Sequence, residues 1–229
     1  MFDISRLNVC YGESHVIHDI SFQVQPGESV AIMGRNGMGK TTLLKSLIGL
    51  LPTRSGDIQL NGRAINGLPS HRRVQQGLAF VPQGRMVFPF LTVEQNILSG
   101  AEHSGHREVP DYIHRFFPVL KEMKHRKAGN LSGGQQQMLA IARALISEPK
   151  VLILDEPTEG IQPSIIKELA QTLNVLRQER GFAVVVSEQV LSFALDLADR
   201  FLVIDRGRIV HEEPRANLNQ EKVKSFLTV

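Results

Sequence analysis

Gly34-Arg35-Asn36-Gly37-Met38-Gly39-Lys40-Thr41 has the spacing G-x-x-x-x-G-K-T, directly after an apolar run and at the start of a helical pattern. Glycines let backbone N–H groups turn inward around anionic oxygens, and a helix N-terminus adds partial positive charge. Such a loop cradles phosphates. Gly34, Asn36, Gly37 and Gly39 line it, Lys40 reaches the β- and γ-phosphates, and Thr41, followed by Thr42, is placed to hold Mg²⁺.

Val151-Leu152-Ile153-Leu154-Asp155-Glu156 is an apolar run ended by two carboxylates. Asp155 suits the Mg²⁺ position, and Glu156 stands where it can orient and polarise an attacking water. Leu131-Ser132-Gly133-Gly134-Gln135-Gln136-Gln137 precedes a helix through Met138, Leu139, Ile141, Ala142 and Leu145. Ser132 is a good N-cap, and the glycines expose backbone N–H groups, so this is a second anion site. The economical reading sets one such surface on each of two subunits, facing across a shared nucleotide.

The elements that must carry these residues alternate short apolar strands with helices, the pattern of an α/β protein with a mainly parallel sheet. Buried strands are expected at Ser29–Met33, Leu78–Val81, Val151–Leu154, Ala183–Val186 and Phe201–Ile204. Asp205-Arg206-Gly207 then signals a hairpin into Arg208–His211. Asp3–Cys10 and Val16–Val24 alternate in period two and predict an antiparallel flank. A helix runs through Leu43, Leu44, Leu47, Ile48 and Leu51, with Pro52 as its stop. From about Gly84 to Asn130 no strand pattern occurs. Thr92-Val93-Glu94-Gln95 starts a helix there, and another runs through Ile113, Phe116, Phe117 and Leu120. With the helix after Ser132, residues 84–147 read as a helical subdomain inserted into a single domain spanning 1–229.

The chain has 229 residues, 42% of them hydrophobic and 21% charged, with a formal net charge of +3. That composition is ordinary for a soluble globular protein and argues against disorder. The apolar runs at Val151–Leu154 and Phe182–Val186 fall far short of the ~18 residues of a membrane span. Cys10 is the single cysteine, which excludes an internal disulfide and fits a reducing compartment. The N-terminus lacks the basic-then-apolar pattern of a signal peptide, so a soluble, cytoplasmic chain is expected.

The loop at Gly34, the Leu131–Gln137 run and the Asp155-Glu156 pair resemble the Walker A, signature and Walker B motifs of ABC transporter ATPase subunits. The resemblance covers essentially the whole chain. It implies two ATP molecules held head-to-tail between two such domains, with Ser132 and Gly134 meeting the partner's γ-phosphate. Gln83 matches the Q-loop glutamine, which senses Mg²⁺ and the γ-phosphate, and Tyr11 matches the aromatic residue that stacks on adenine. Two positions depart from the family pattern. Gln189, in Ser187-Glu188-Gln189-Val190, occupies the place of the switch histidine, and its amide donates hydrogen bonds but does not titrate. Gln162 replaces the D-loop aspartate.

Arg35, Gln189 and Gly84-Arg85-Met86-Val87-Phe88 together resemble the second ATPase subunit of branched-chain amino acid and urea importers. GRNGMGKT, VPQGRMVFP and DEPTEGIQPSI look most like the urea subtype. The resemblance implies a paralogous second ATPase chain, two membrane permease subunits and, beyond them, a periplasmic solute-binding protein. It places this chain at the cytoplasmic side of the bacterial inner membrane. Phe88, Pro89, Phe90 and Leu91 then line a groove for a coupling helix of the permease. The rivals are an ABC-type ATPase acting on nucleic acid and a regulatory module that binds nucleotide without hydrolysis. The first lacks its usual coiled-coil or zinc-bearing insertion, and the second is weakened because Lys40, Thr41, Asp155 and Glu156 are all intact. No nucleic-acid partner is expected. His103, His106, His114 and His125 lack metal spacing, and the basic run from Lys121 to Lys127 reads as a solvated face.

Overall fold

In the computed structural model, which describes residues 1–227, a hairpin of β1 (Phe2–Tyr11) and β2 (Ser14–Val24) precedes β3 (Ser29–Met33). The glycine-rich loop then opens α1 (Lys40–Ile48), followed by β4 (Thr53–Leu60), β5 (Arg63–Ala64), α2 (Ser70–Gln76) and β6 (Leu78–Val81). Four helices come next: α3 (Val93–Leu98), α4 (Asp111–Phe116), α5 (Pro118–Glu122) and α6 (Gly133–Leu145). They lead into β7 (Val151–Asp155), α7 (Pro163–Arg180), β8 (Ala183–Glu188) and α8 (Leu191–Leu197). Then come β9 (Arg200–Asp205), β10 (Arg208–Pro214) and α9 (Gln220–Leu227).

Six strands form one sheet in the order β10-β9-β3-β8-β7-β6, parallel throughout except for the edge strand β10. Every residue of β3, β7 and β8 is buried, which is why these strands read as unbroken apolar runs. Alternation still sorts their faces. Ala31 and Met33 join the core beneath α3–α8, while Val30 and Ile32 join the core around α1 and the second sheet. That second sheet is antiparallel, in the order β2-β1-β4-β5. Because the central strands run parallel, the carboxyl ends of β3, β7 and β8 open on one edge, the usual place for a ligand crevice.

The expected strands and the 205–208 hairpin form, the latter with Arg206 (φ 45°) and Gly207 (φ 74°) at its turn. The antiparallel flank is larger than its two expected strands. In β4, TRSGDIQL buries only Ile58 and Leu60, too little alternation to register in the sequence. The short helix α2 was likewise not expected. Helix α1 stops at Ile48, three residues before Leu51, because Gly49 caps it in the left-handed conformation (φ 83°). The helix expected through Ile113 and Leu120 is two helices. Phe117 leaves helical geometry (φ −128°), and Pro118, which has no N–H to continue a helical ladder, starts the second. Helix α3 begins as expected, with a capping box between Thr92 and Gln95. Among the described residues no helix is long and apolar enough to cross a membrane.

Candidate active site

The glycine-rich loop leaves β3 beside β9, and the approach is close. A methyl group on Gly34 would stand 2.5 Å from the Ile204 carbonyl oxygen, so only glycine fits there. The loop delivers Lys40 to the first turn of α1, where the residue is 4% exposed. Its ammonium donates to the carbonyls of Gly34 (2.8 Å) and Arg35 (3.1 Å) and pairs with Glu156 Oε1 at 3.1 Å. Each of its three protons thus has an acceptor.

Parallel register sets Asp155, the last residue of β7, opposite Ser187 on β8. Asp155 Oδ1 accepts from Ser187 Oγ (2.6 Å) and Thr41 Oγ1 (3.1 Å), while Oδ2 is buried with no partner. Burial raises the Asp155 pKa above the ordinary carboxylate value, and those two hydrogen bonds oppose the shift. A buried, unpartnered carboxylate oxygen is costly unless a cation compensates it. With the Thr41 hydroxyl 3.1 Å from Oδ1, this carboxylate offers hard oxygen donors of the kind that Mg²⁺ takes.

Glu156 follows with φ 45°, an uncommon conformation for a non-glycine residue. Its backbone N–H is held by the Ser187 carbonyl and hydroxyl, both at 3.1 Å. Three side chains converge on its carboxylate: Lys40 and Gln189 (2.9 Å) on Oε1, and Gln83 (3.4 Å) on Oε2. Gln189 Nε2 also donates to Asn36 Oδ1 at 2.7 Å, closing a ring from the glycine-rich loop to the ends of β7 and β8. The resulting cleft of 230 Å³ is walled by Val16, Asn36, Gly37, Gly39, Lys40, Thr41, Thr42, Gln83 and Glu156.

Three expected site residues stand apart from this cleft. Tyr11 ends β1 with 47% exposure, and Val16 forms the nearby wall. Ser132 is exposed and caps α6 through a reciprocal box with Gln135. Gly134 is buried against α7, and a methyl there would lie 2.7 Å from Ile165 Cδ1. Gln162 is the N-cap residue of α7 and makes no side-chain cap bond.

Sequence reasoning passed over Ser187 and Glu188. Glu188 is buried, and Oε1 accepts from Thr158 Oγ1 (2.6 Å) and Thr158 N (3.2 Å), while Oε2 accepts from Gln189 N (2.9 Å) and Val190 N (3.0 Å). Burial raises its pKa, against those hydrogen bonds. The available signal was a polar Ser-Glu pair ending an otherwise apolar strand.

A strand running into a glycine-rich loop and helix, with a second strand of the same sheet, one place removed across β8, ending in a buried aspartate, defines a P-loop ATPase. The chain matches the ABC transporter family over residues 17–159, more than half its length. It belongs to that family and is an ATP-hydrolysing subunit of it. It is 42% identical over 228 residues to the high-affinity branched-chain amino acid transport ATP-binding protein BraG of Pseudomonas aeruginosa, covering 98% of this chain and 97% of that one. The probable branched-chain amino acid transport ATP-binding protein LivF of Archaeoglobus fulgidus is 39% identical, covering 89% of this chain and 88% of its own. Among solved structures, an ATP-binding subunit of an ABC transporter superposes with a TM-score of 0.85 at 27% identity, over the whole of both chains. A dimeric ATP-binding cassette in a post-hydrolysis state with ADP and Pi gives 0.84 at 25% identity, covering 95% of this chain and all of that one.

Proposed function

We propose that this chain powers an importer for a small polar solute of the urea or branched-chain amino acid kind. The observation that carries the catalytic reading is the convergence of Lys40, Gln83 and Gln189 on the single carboxylate of Glu156. The names of its relatives support the amino acid end of that range, and the motif wording supports urea.

In this reading the glycine-rich loop, with Gly34, Asn36, Gly37, Gly39 and Thr42, holds the phosphates of ATP, and Tyr11 stacks on the adenine. Thr41, Gln83 and Asp155 hold Mg²⁺, which supplies Lewis-acid neutralisation of phosphate charge when bound. Lys40 exchanges its bonds to loop carbonyls and Glu156 for phosphate oxygens. That exchange frees Glu156 to accept a proton from the attacking water, which a carboxylate paired to an ammonium does poorly. Gln189 then holds Glu156 and offers its amide N–H to the γ-phosphate. Ser132 and Gly134 serve the nucleotide of the facing subunit, which accounts for their distance from this cleft.

The assembly we propose contains a paralogous ATPase chain, two permease subunits and a periplasmic solute-binding protein, with this chain at the cytoplasmic face of the inner membrane. Support for the docking side comes from Met86 (68%), Phe88 (50%) and Phe90 (83% exposed), which crowd apolar side chains at one surface. Met86 and Phe88, with Ser99, Gly100, Arg143 and Ala144, help line an open groove of 450 Å³ at that surface. The test is reconstitution of the whole complex in liposomes, with radiolabelled urea and leucine offered in turn. ATP-driven accumulation of one of them is expected. Hydrolysis without accumulation of either removes the solute assignment.

A further inference from the structure

We infer that Arg85 and Arg143 are positioning residues, which together make the placement of the loop after Glu156 depend on what seats against Phe88. The inference rests on the reading of the Phe88 surface as the permease-docking face.

The connection is continuous in the structure. Asn96, fully buried on α3, accepts from the Phe88 N–H (2.8 Å) and donates to the Phe88 (3.0 Å), Leu91 and Thr92 carbonyls. The Phe88 segment therefore moves with α3 rather than as a loose loop. Arg143 on α6 lies 5.2 Å from the Phe88 ring centroid, within cation–π range. The same guanidinium donates to the carbonyls of Met86 (2.9 Å) and Arg85 (3.4 Å). Both residues have positive φ, 66° at Arg85 and 46° at Met86, so a turn that is strained for side-chain-bearing residues is held by Arg143 from outside.

That turn aims Arg85 in the opposite direction. Its Nη2 donates to the carbonyls of Glu159 (2.6 Å) and Gly160 (3.4 Å), three and four residues beyond Glu156. The start of α6 closes against the same group: a methyl on Gly133 would lie 3.1 Å from Arg85 Nη1 and 3.2 Å from the Gly160 carbonyl. A planar guanidinium with a fixed fork of donors transmits orientation better than a single ammonium. Gln83, two residues before Arg85, touches the Glu156 carboxylate, while Arg85 holds the loop three and four residues beyond it.

Arg143 touches neither Glu159 nor Gly160, and this makes the inference testable at a distance. Arg143→Met and Arg85→Met both keep an apolar stem and remove the fork. In the intact chain, hydrogen–deuterium exchange at the Glu159 and Ile161 amides should quicken about tenfold in each variant, the scale of a local opening. The double variant should be no faster than Arg85→Met alone, and the amides of Leu139–Ala142 in α6 serve as the folding control. Arg143→Met with unchanged exchange at Glu159 and Ile161 overturns the inference, as does quickening that spreads to the α6 control. In the assembled complex, either variant should lose most of the acceleration of ATP turnover that the permease confers, with KM for ATP within about twofold. Wild-type complex without any acceleration removes the docking reading itself. Wild-type acceleration that both variants retain removes the Arg85–Arg143 path alone.

Discussion

Gln189 Nε2 lies 2.9 Å from Glu156 Oε1, and the same carboxylate oxygen is 3.1 Å from Lys40 Nζ. One side chain at the end of β8 and one at the start of α1 therefore share the carboxylate that follows β7. Neither contact is local in sequence, since Gln189 is 33 residues from Glu156. The parallel register of β7 and β8, with Asp155 opposite Ser187, brings them together.

Glu156→Gln should lower steady-state ATP hydrolysis by about 10²–10⁴-fold, the usual contribution of a general base, while ATP binding persists. Phosphate release by the assembled complex, alongside binding of a fluorescent ATP analogue, separates the two effects. Unaltered turnover would show that another group takes the proton from water.

Gln189 does not titrate, so it adds no limb of its own to the pH–rate profile. Gln189→His should introduce one near pH ~6.5, the ordinary histidine value. Rates measured between pH 5.5 and 8.5 (roughly one unit or more either side of that value) decide the matter. Superimposable profiles from the two proteins would place residue 189 away from the reacting phosphate.

Glu188→Gln puts an amide NH₂ or C=O where a carboxylate accepts from Thr158, Gln189 and Val190, so at least one buried N–H loses its partner. A loss of about 2 kcal/mol in stability is expected. The pH dependence has a definite sign. Burial raises the folded-state pKa of Glu188, so the folded chain binds more protons than the unfolded chain between the ordinary and the raised value. Wild-type stability from this group therefore falls as pH climbs through that window, and the gap to the glutamine variant widens as pH falls through it. Urea unfolding of both proteins at several pH values reads the gap. A gap that narrows on acidification would contradict the raised pKa.

Serine at both Phe88 and Phe90 should cut solute uptake by the complex at least about tenfold, because apolar anchors at an interface carry much of its energy. Hydrolysis by the isolated chain should stay within about twofold. Uptake equal to wild type would free this surface of any role in docking.

The residues that do chemistry announced themselves because each motif is contiguous. Gly34–Thr41 encodes its own turn, and Asp155-Glu156 closes a strand whose apolar run is plain to read. The central strands were legible for the same reason: burial on both faces leaves them unbroken by polar residues. Elements held by few apolar positions were not legible. Strand β4 is fixed by pairing with β1 rather than by its own pattern, and α2 is a short helix beside β6. Arg73 on α2 is buried, and its guanidinium donates to the Ser46, Leu47, Asn66 and Leu68 carbonyls. An arginine in a hydrophilic heptapeptide gives no sign that it will be interred.

The sequence alone determined the phosphate loop, its lysine and threonine, the carboxylate pair, the glutamine at position 189 and the α/β alternation, all properties of neighbours along the chain. The tertiary structure decided which of these meet. It gathered Asn36, Lys40, Gln83 and Gln189 around Glu156, and Thr41 and Ser187 around Asp155. It kept Tyr11, Ser132 and Gly134 out of that cleft, and it buried Glu188 as a clamp between Thr158 and the residues after β8. The physical reason is register. Hydrogen bonding between parallel strands and close packing of α1 against them fix side chains that lie up to 153 residues apart, as Asn36 and Gln189 do. No local propensity carries that information.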